Sequence, residues 1–160
     1  MPTRREFIKL GSAGAVGLAA SKALAAEPPT QTGSFPVVTV APLERIARGA
    51  IVAFTYPDAG APAVLLRLGE PALGGIGPNN EIVAYSTLCT HKGCPVSYRP
   101  EQKLIICPCH WSTFDPAKNG ELVIGQASQN LPRIELRIER GLVQAIGVSG
   151  LIYGRHTNVI

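Results

Sequence analysis

Two short segments hold every cysteine of this 160-residue chain, and they constrain its fold more than any other feature. Residues 89–94 read CTHKGC and residues 107–112 read CPCHWS. Each segment carries two of the four cysteines and one of the three histidines. Thiolates and imidazoles at such spacing are typical metal ligands. A fold that suits this chain must therefore bring two segments together that are separated by residues 95–106.

The rest of the chain predicts short strands joined by tight turns. A count of 17 glycines and 14 prolines disfavours long helices. Apolar runs bounded by turn residues predict strands at 35–40, 49–56, 63–68, 81–87, 103–107, 121–125, 133–139 and 142–148. Residues 42–48 are expected to form one short helical turn, and residues 139–141 a hairpin turn. We therefore predict an all-β antiparallel sandwich or barrel, with both cysteine–histidine segments as loops that follow strands.

The N-terminal residues 1–26 resemble a twin-arginine export signal. The pair Arg4 and Arg5 is followed by Phe7 and then by a weakly apolar stretch at 10–20, and residues 23–25 read ALA, an A-x-A cleavage pattern. We expect export of the folded protein to the periplasm, with a linker at residues 27–34 after the signal. An uncleaved signal that anchors the protein to the membrane and an amphipathic cytoplasmic helix are the alternatives.

The charge distribution argues against a nucleic-acid partner. The formal net charge is +4, but four of the 15 basic residues and one of the 11 acidic residues lie within residues 1–26. The remaining chain has eleven basic and ten acidic residues, so it is nearly neutral. A nucleic-acid interface needs a basic surface, and we therefore expect none here.

The ligand types leave more than one metal centre open. Two cysteines and two histidines suit a tetrahedral zinc ion, but the two segments offer six candidate ligands. A catalytic cysteine–histidine pair would leave the second segment without a role. A single zinc ion needs only four of these six, so the ligand types alone do not decide the centre.

The full pattern of the two segments resembles the Rieske iron–sulfur family, whose motifs are C-x-H-x-G-C and C-P-C-H-x-S. The resemblance implies one [2Fe–2S] cluster, with Cys89 and Cys107 on one iron and His91 and His110 on the other. It implies that these two histidines form the electron exit. It also implies a Rieske domain at 35–160, in which a cluster-binding subdomain at about 80–125 is inserted into a base β domain.

The same resemblance implies a disulfide between the two remaining cysteines, Cys94 and Cys109, which would tie the loops together. An oxidising periplasm permits such a bond. Gly93 and Pro108 match further fixed positions of the two motifs.

Four residues near the ligands bear on the properties of the cluster. Ser112 matches the family serine that donates a hydrogen bond to a bridging sulfide. Phe114 stands where high-potential members of the family carry a tyrosine that donates a hydrogen bond to a ligand sulfur. Phenylalanine has no donor, so we expect a reduction potential below that of those members. Lys92 places positive charge nearby, with a solvated surface lysine as the alternative. Trp111 is expected to pack over its loop, because large aromatic side chains are mostly buried, and a place in an interface is the alternative.

Segments outside the motifs are similar to the small subunits of arsenite oxidases, among them residues 114–139 and the ending GLIYGRHTNVI. This resemblance implies a non-catalytic electron-transfer subunit of an oxidoreductase. Its partner would be a molybdenum–pterin large subunit, and its acceptor a c-type cytochrome or a cupredoxin. The alternatives are a Rieske subunit of a quinol–cytochrome c oxidoreductase or of another periplasmic oxidoreductase, and a zinc or disulfide-stabilised binding module.

Overall fold

The computed structural model describes residues 34–159. The predicted export signal and residues 27–33 of the predicted linker lie outside the described residues. Within residues 34–159, no helix is long and apolar enough to cross a membrane. The regular elements of the described residues are two single-turn 3-10 helices, Leu43–Arg45 and Pro116–Lys118, and ten strands: β1 Val38–Pro42, β2 Ile51–Thr55, β3 Pro62–Arg67, β4 Ile82–Ser86, β5 Ser97–Arg99, β6 Leu104–Ile106, β7 Thr113–Asp115, β8 Glu121–Ile124, β9 Arg133–Glu139 and β10 Leu142–Ser149.

The larger sheet forms the base of the protein. Its six antiparallel strands follow the order β1-β10-β9-β4-β3-β2. The predicted strand at 133–139 coincides with β9, and the predicted helical turn contains the helix Leu43–Arg45. The predicted hairpin turn joins β9 to β10, where Arg140 and Gly141 have φ angles of 51° and 77°. Two consecutive positive φ values are typical of the type I′ turn, which suits the twist of a hairpin.

The smaller sheet has the order β5-β6-β7-β8 and carries the second cysteine–histidine segment. It lies in the chain between β4 and β9, which pair with each other in the larger sheet through Tyr85 and Arg133. The sequence patterns did not predict β5 or β7. Each has only three residues, too few for a period-two pattern to be visible. The prediction of an all-β antiparallel fold is confirmed.

A tyrosine of the larger sheet forms a hydrogen bond with the 3-10 helix that follows β7 of the smaller sheet. Tyr85 is fully buried in β4, and its hydroxyl donates a 2.7 Å hydrogen bond to the carbonyl of Pro116. Burial raises the pKa of Tyr85 well above its ordinary value, so the hydroxyl keeps its proton and remains a donor. Because β4 also leads into the first segment, this contact fixes the two segments relative to each other.

A buried ion pair fixes the start of the same strand. Glu81 is 1% exposed, and its Oε1 lies 2.8 Å from Nη2 of Arg67. The Arg67 Nε donates to the same oxygen at 2.9 Å. Its Nη1 donates to the carbonyl of Ile46 at 2.6 Å. A buried carboxylate needs such a partner, because an unpaired charge is costly in the interior.

Candidate metal centre

The first segment forms a closed loop after β4. The amide of Cys89 donates to the carbonyl of Cys94 at 2.9 Å, and the amide of Gly93 donates to the carbonyl of Cys89 at 2.8 Å. Gly93 has a φ of +70°, in the left-handed region that favours glycine. The loop therefore presents a fixed backbone for its cysteine and histidine side chains.

The second segment repeats this hydrogen-bond pattern after β6. The amide of Cys107 donates to the carbonyl of Ser112 at 2.8 Å, and the amide of Trp111 donates to the carbonyl of Cys107 at 3.0 Å. Trp111 occupies the position that corresponds to Gly93 and also has a left-handed backbone, with φ at +60°. Its side chain is 72% exposed. The prediction that Trp111 packs over its loop is wrong, because the indole lies largely in solvent.

A disulfide joins the two loops. Cys94 and Cys109 are bonded, and their Cα atoms are 6.5 Å apart. The sulfur of Cys107 lies within 4.8 Å of both disulfide sulfurs. Because two of these three sulfurs are bonded to each other, the trio does not itself form a metal site. The disulfide instead lies beside the Cys107 thiol and reduces the six candidate ligands to four.

The two free thiols lie inside the protein. Cys89 and Cys107 are 0% and 1% exposed. Burial is the main cause that raises the pKa of the Cys89 thiol, and the neighbouring Cys107 raises it further. The backbone amide of His91 and the hydroxyl of Ser112 donate to the Cys89 sulfur and lower that pKa. A bound metal would favour the thiolate, because coordination replaces the proton.

The two imidazoles lie side by side nearer the surface. The ring centroids of His91 and His110 are 4.7 Å apart, with an angle of 81° between the ring planes. His110 is exposed, whereas His91 is half-buried. Nδ1 of His91 is buried and has no hydrogen-bond partner within residues 34–159. A buried polar atom ordinarily has a partner, and a metal ion at this nitrogen would supply one. The residues present thus fit a centre with two thiolate and two imidazole ligands.

A third segment, residues 125–131, packs against both loops, although its sequence does not predict a place in the site. The fully buried Ser112 accepts a 3.0 Å hydrogen bond at Oγ from the amide of Ala127. Thr90 donates through Oγ1 to the carbonyl of Gln129 at 2.9 Å. The segment GQASQNL carries no metal ligand and no regular period, so only its contacts reveal it.

The other residues that were predicted to lie near the cluster differ in their burial. Phe114 is fully buried in the same apolar cluster as the two free thiols. Lys92 and Pro108 are exposed on the two loops. Phe114 has no hydrogen-bond donor to offer the sulfurs, and the exposed ammonium of Lys92 can remain hydrated.

An all-β domain with two cysteines and two histidines on paired loops defines a class of metalloprotein that holds an iron–sulfur cluster at its surface. The model of the Rieske [2Fe-2S] domain matches residues 37–135. The chain belongs to the Rieske family, and its cofactor is one [2Fe–2S] cluster. Cys89, Cys107, His91 and His110 would hold that cluster.

Similar proteins agree with this assignment. The iodate reductase subunit IdrB of Denitromonas iodatirespirans is 36% identical over 155 residues, which cover 95% of this chain and 80% of that one. The Rieske subunit of the cytochrome bc1 complex of Streptomyces lividans is 43% identical over 68 residues, 41% of this chain and 40% of that one. The soluble domain of Rieske protein II (soxF) from Sulfolobus acidocaldarius has a TM-score of 0.65 at 25% identity, and the match covers 78% of this chain and 85% of that one.

Proposed function

We propose that this chain is the electron-transfer subunit of arsenite oxidase. The observation that carries the proposal is a Rieske centre at the surface of a chain that is similar over 95% of its length to a subunit of an oxidoreductase. The resemblance of residues 114–139 and of the C-terminal ending to arsenite oxidase small subunits supports the choice of arsenite. The catalytic partner would be a molybdenum–pterin subunit, in which arsenite is oxidised to arsenate.

When bound, the cluster carries one electron at a time, and it would therefore link the two-electron oxidation of arsenite to a one-electron acceptor. The chain's own residues hold and tune it. The buried thiols of Cys89 and Cys107 exclude water from one side, and the imidazoles of His91 and His110 form the electron exit. The Ser112 hydroxyl stabilises negative charge on sulfur by donating to it. Rieske centres span about −150 to +300 mV, and the absence of a donor at Phe114 favours a value below the top of that range.

The proposed location is the periplasm, reached by the twin-arginine route. The pair Arg4 and Arg5 in residues 1–26 supports it, and a disulfide between Cys94 and Cys109 is stable in an oxidising compartment. The acceptor would then be a periplasmic c-type cytochrome or a cupredoxin. If Arg4 and Arg5 are both changed to lysine, the protein should remain in the cytoplasmic fraction. Normal export of that variant would refute the route.

Iodate reductase is the second candidate, because the Denitromonas relative carries that name. The electrons would then flow through the cluster toward the catalytic subunit instead of away from it. The quinol–cytochrome c alternative has less support, because the bc1 relative matches only 41% of the chain.

Electron paramagnetic resonance of the native complex separates these candidates, because only the reduced cluster is paramagnetic. The oxidised complex should develop a Rieske signal when arsenite is added, without another reductant. If arsenite produces no signal, and iodate removes the signal of the dithionite-reduced complex, the chain serves iodate reduction. A complex that responds to neither oxyanion would refute both candidates. Absence of a signal even with dithionite would contradict the cluster itself.

A further inference from the structure

The two cluster loops have the same backbone pattern, but they are covered differently. On the first loop, a β-carbon built on Gly93 would lie 2.5 Å from Cδ1 and 2.6 Å from Cε1 of Tyr153. The tyrosine ring therefore stands directly against the Gly93 backbone. On the second loop, the corresponding residue is Trp111, which is 72% exposed. A C-terminal side chain thus covers the Gly93 position of the first loop, whereas the corresponding position of the second loop is exposed.

The position of Tyr153 is set by its own segment, residues 150–158. The preceding Ile152 is 1% exposed, and its amide donates to Oδ1 of Asn158 at 3.0 Å. Nδ2 of Asn158 donates in turn to the carbonyl of Gly150 at 2.6 Å. These bonds close the segment into a compact turn with a buried anchor. The ring is therefore a fixed surface against which the loop can rest.

An ion pair fastens the same segment to the base of the protein. Nη2 of Arg155 lies 2.7 Å from Oδ1 of Asp58. That oxygen also accepts the amide of Gly60 at 2.8 Å, so its position is set by the turn at 57–60. A cleft of about 170 Å³ lies beside the ring and is lined by residues of the first loop, the third segment and the C-terminal segment, among them Thr90, Gln129 and Tyr153.

We propose that Tyr153 is a positioning residue for the cluster. Its ring holds the first loop at Gly93, keeps His91 in place and limits the access of water to that side. His110, the more exposed of the two imidazoles, then lies on the open side of the electron exit. The inference rests on the Rieske cluster alone, and it stands whichever oxidoreductase the chain serves.

The ring, not the hydroxyl, makes the contact, and this sets the test. The full-length chain is prepared in its native complex with Tyr153→Phe, Tyr153→Ala and Leu151→Ala. Leu151 is a matched control because it is 44% exposed in the same segment, close to the 40% of Tyr153. Two quantities are measured: the rate at which an iron chelator bleaches the visible absorption of the cluster, and the reduction potential from a titration followed by paramagnetic resonance.

Tyr153→Ala should lose iron about tenfold faster, because the ring no longer packs against the backbone of the loop. Its potential should rise, because water stabilises the more negatively charged reduced cluster. Tyr153→Phe and Leu151→Ala should match the wild type in both quantities. The proposal would be overturned if Tyr153→Ala released iron at the wild-type rate and kept the wild-type potential. It would also be overturned if Tyr153→Phe or Leu151→Ala changed both quantities as much as Tyr153→Ala does.

A second variant keeps the proposal testable if Tyr153→Ala does not fold. Asp58→Asn removes the charge that fastens Arg155 and leaves the ring and both loops unchanged in sequence. It should speed iron release in the same direction by a smaller factor, and amide hydrogen exchange at residues 90–93 should increase. Unchanged iron release and unchanged exchange would contradict the role of the segment.

Discussion

Ser112 offers the sharpest test of how the protein tunes its cluster, because its hydroxyl has two partners. It accepts the amide of Ala127 at 3.0 Å and donates toward the sulfur of Cys89. Ser112→Ala removes both contacts in a fully buried place. The amide of Ala127 is left without that acceptor, which costs about 1–3 kcal/mol of unfolding free energy.

The lost donor should also lower the reduction potential. A hydrogen bond to sulfur is stronger when the sulfur carries more negative charge, so it favours the reduced cluster. We take about 1 kcal/mol as the difference in the strength of this hydrogen bond between the oxidised and the reduced cluster. A tenfold change corresponds to about 1.4 kcal/mol and, for one electron, to about 59 mV, so the potential should fall by about 42 mV.

Ser86→Ala is the matched control for this experiment. Ser86 is 1% exposed, and its Oγ accepts the amide of Leu88 at 3.3 Å, in the approach to the first loop. The control should lose stability without a comparable shift in potential. Redox titration and denaturant unfolding of both variants give the two numbers. An unchanged potential in Ser112→Ala, or an equal fall in Ser86→Ala, would refute the reasoning.

Three further predictions concern the core, an ion pair and pH. Phe114→Tyr should raise the potential by about 42 mV if the new hydroxyl reaches a ligand sulfur, and a redox titration that shows no rise would contradict this. Glu81→Gln should lower the unfolding free energy by about 3 kcal/mol, because Arg67 loses the negative charge of its buried partner; a loss below about 1 kcal/mol in denaturant unfolding would count against it. The hydrogen bond from Arg155 holds the pKa of Asp58 below its ordinary value of 3.8. The stability that this pair provides is therefore complete above pH 3.8 and is lost as the pH falls through the lower folded value. Asp58→Asn should remove that part of the pH dependence in melting experiments between about pH 5 and about pH 2.

The sequence predicts best what local patterns encode. The alternating run at 133–139 forms β9 with the same limits, and the two cysteine–histidine segments form neighbouring loops. Both results follow from signals contained within a few adjacent residues. The three-residue strands β5 and β7 carry too little pattern to be detected, because their pairing comes from the sheet around them.

Contacts between distant segments could not be predicted in this way. Tyr153 lies far along the chain from Gly93, and nothing in either local sequence indicates that they touch. The amide of Ala127 that binds Ser112 has no side-chain signature at all. The prediction for Trp111 failed because average burial describes a residue type, whereas this tryptophan stands at one exposed position of a surface loop.

The disulfide and the paired loop hydrogen bonds have a consequence for the speed of electron exchange. Each loop is closed by two backbone bonds, and Cys94–Cys109 fixes one loop to the other. Ligands on such a frame move little when the charge of the cluster changes, so the reorganisation energy of the protein is small. An electron can then cross to a partner during a brief encounter, and a weak, short-lived complex is sufficient.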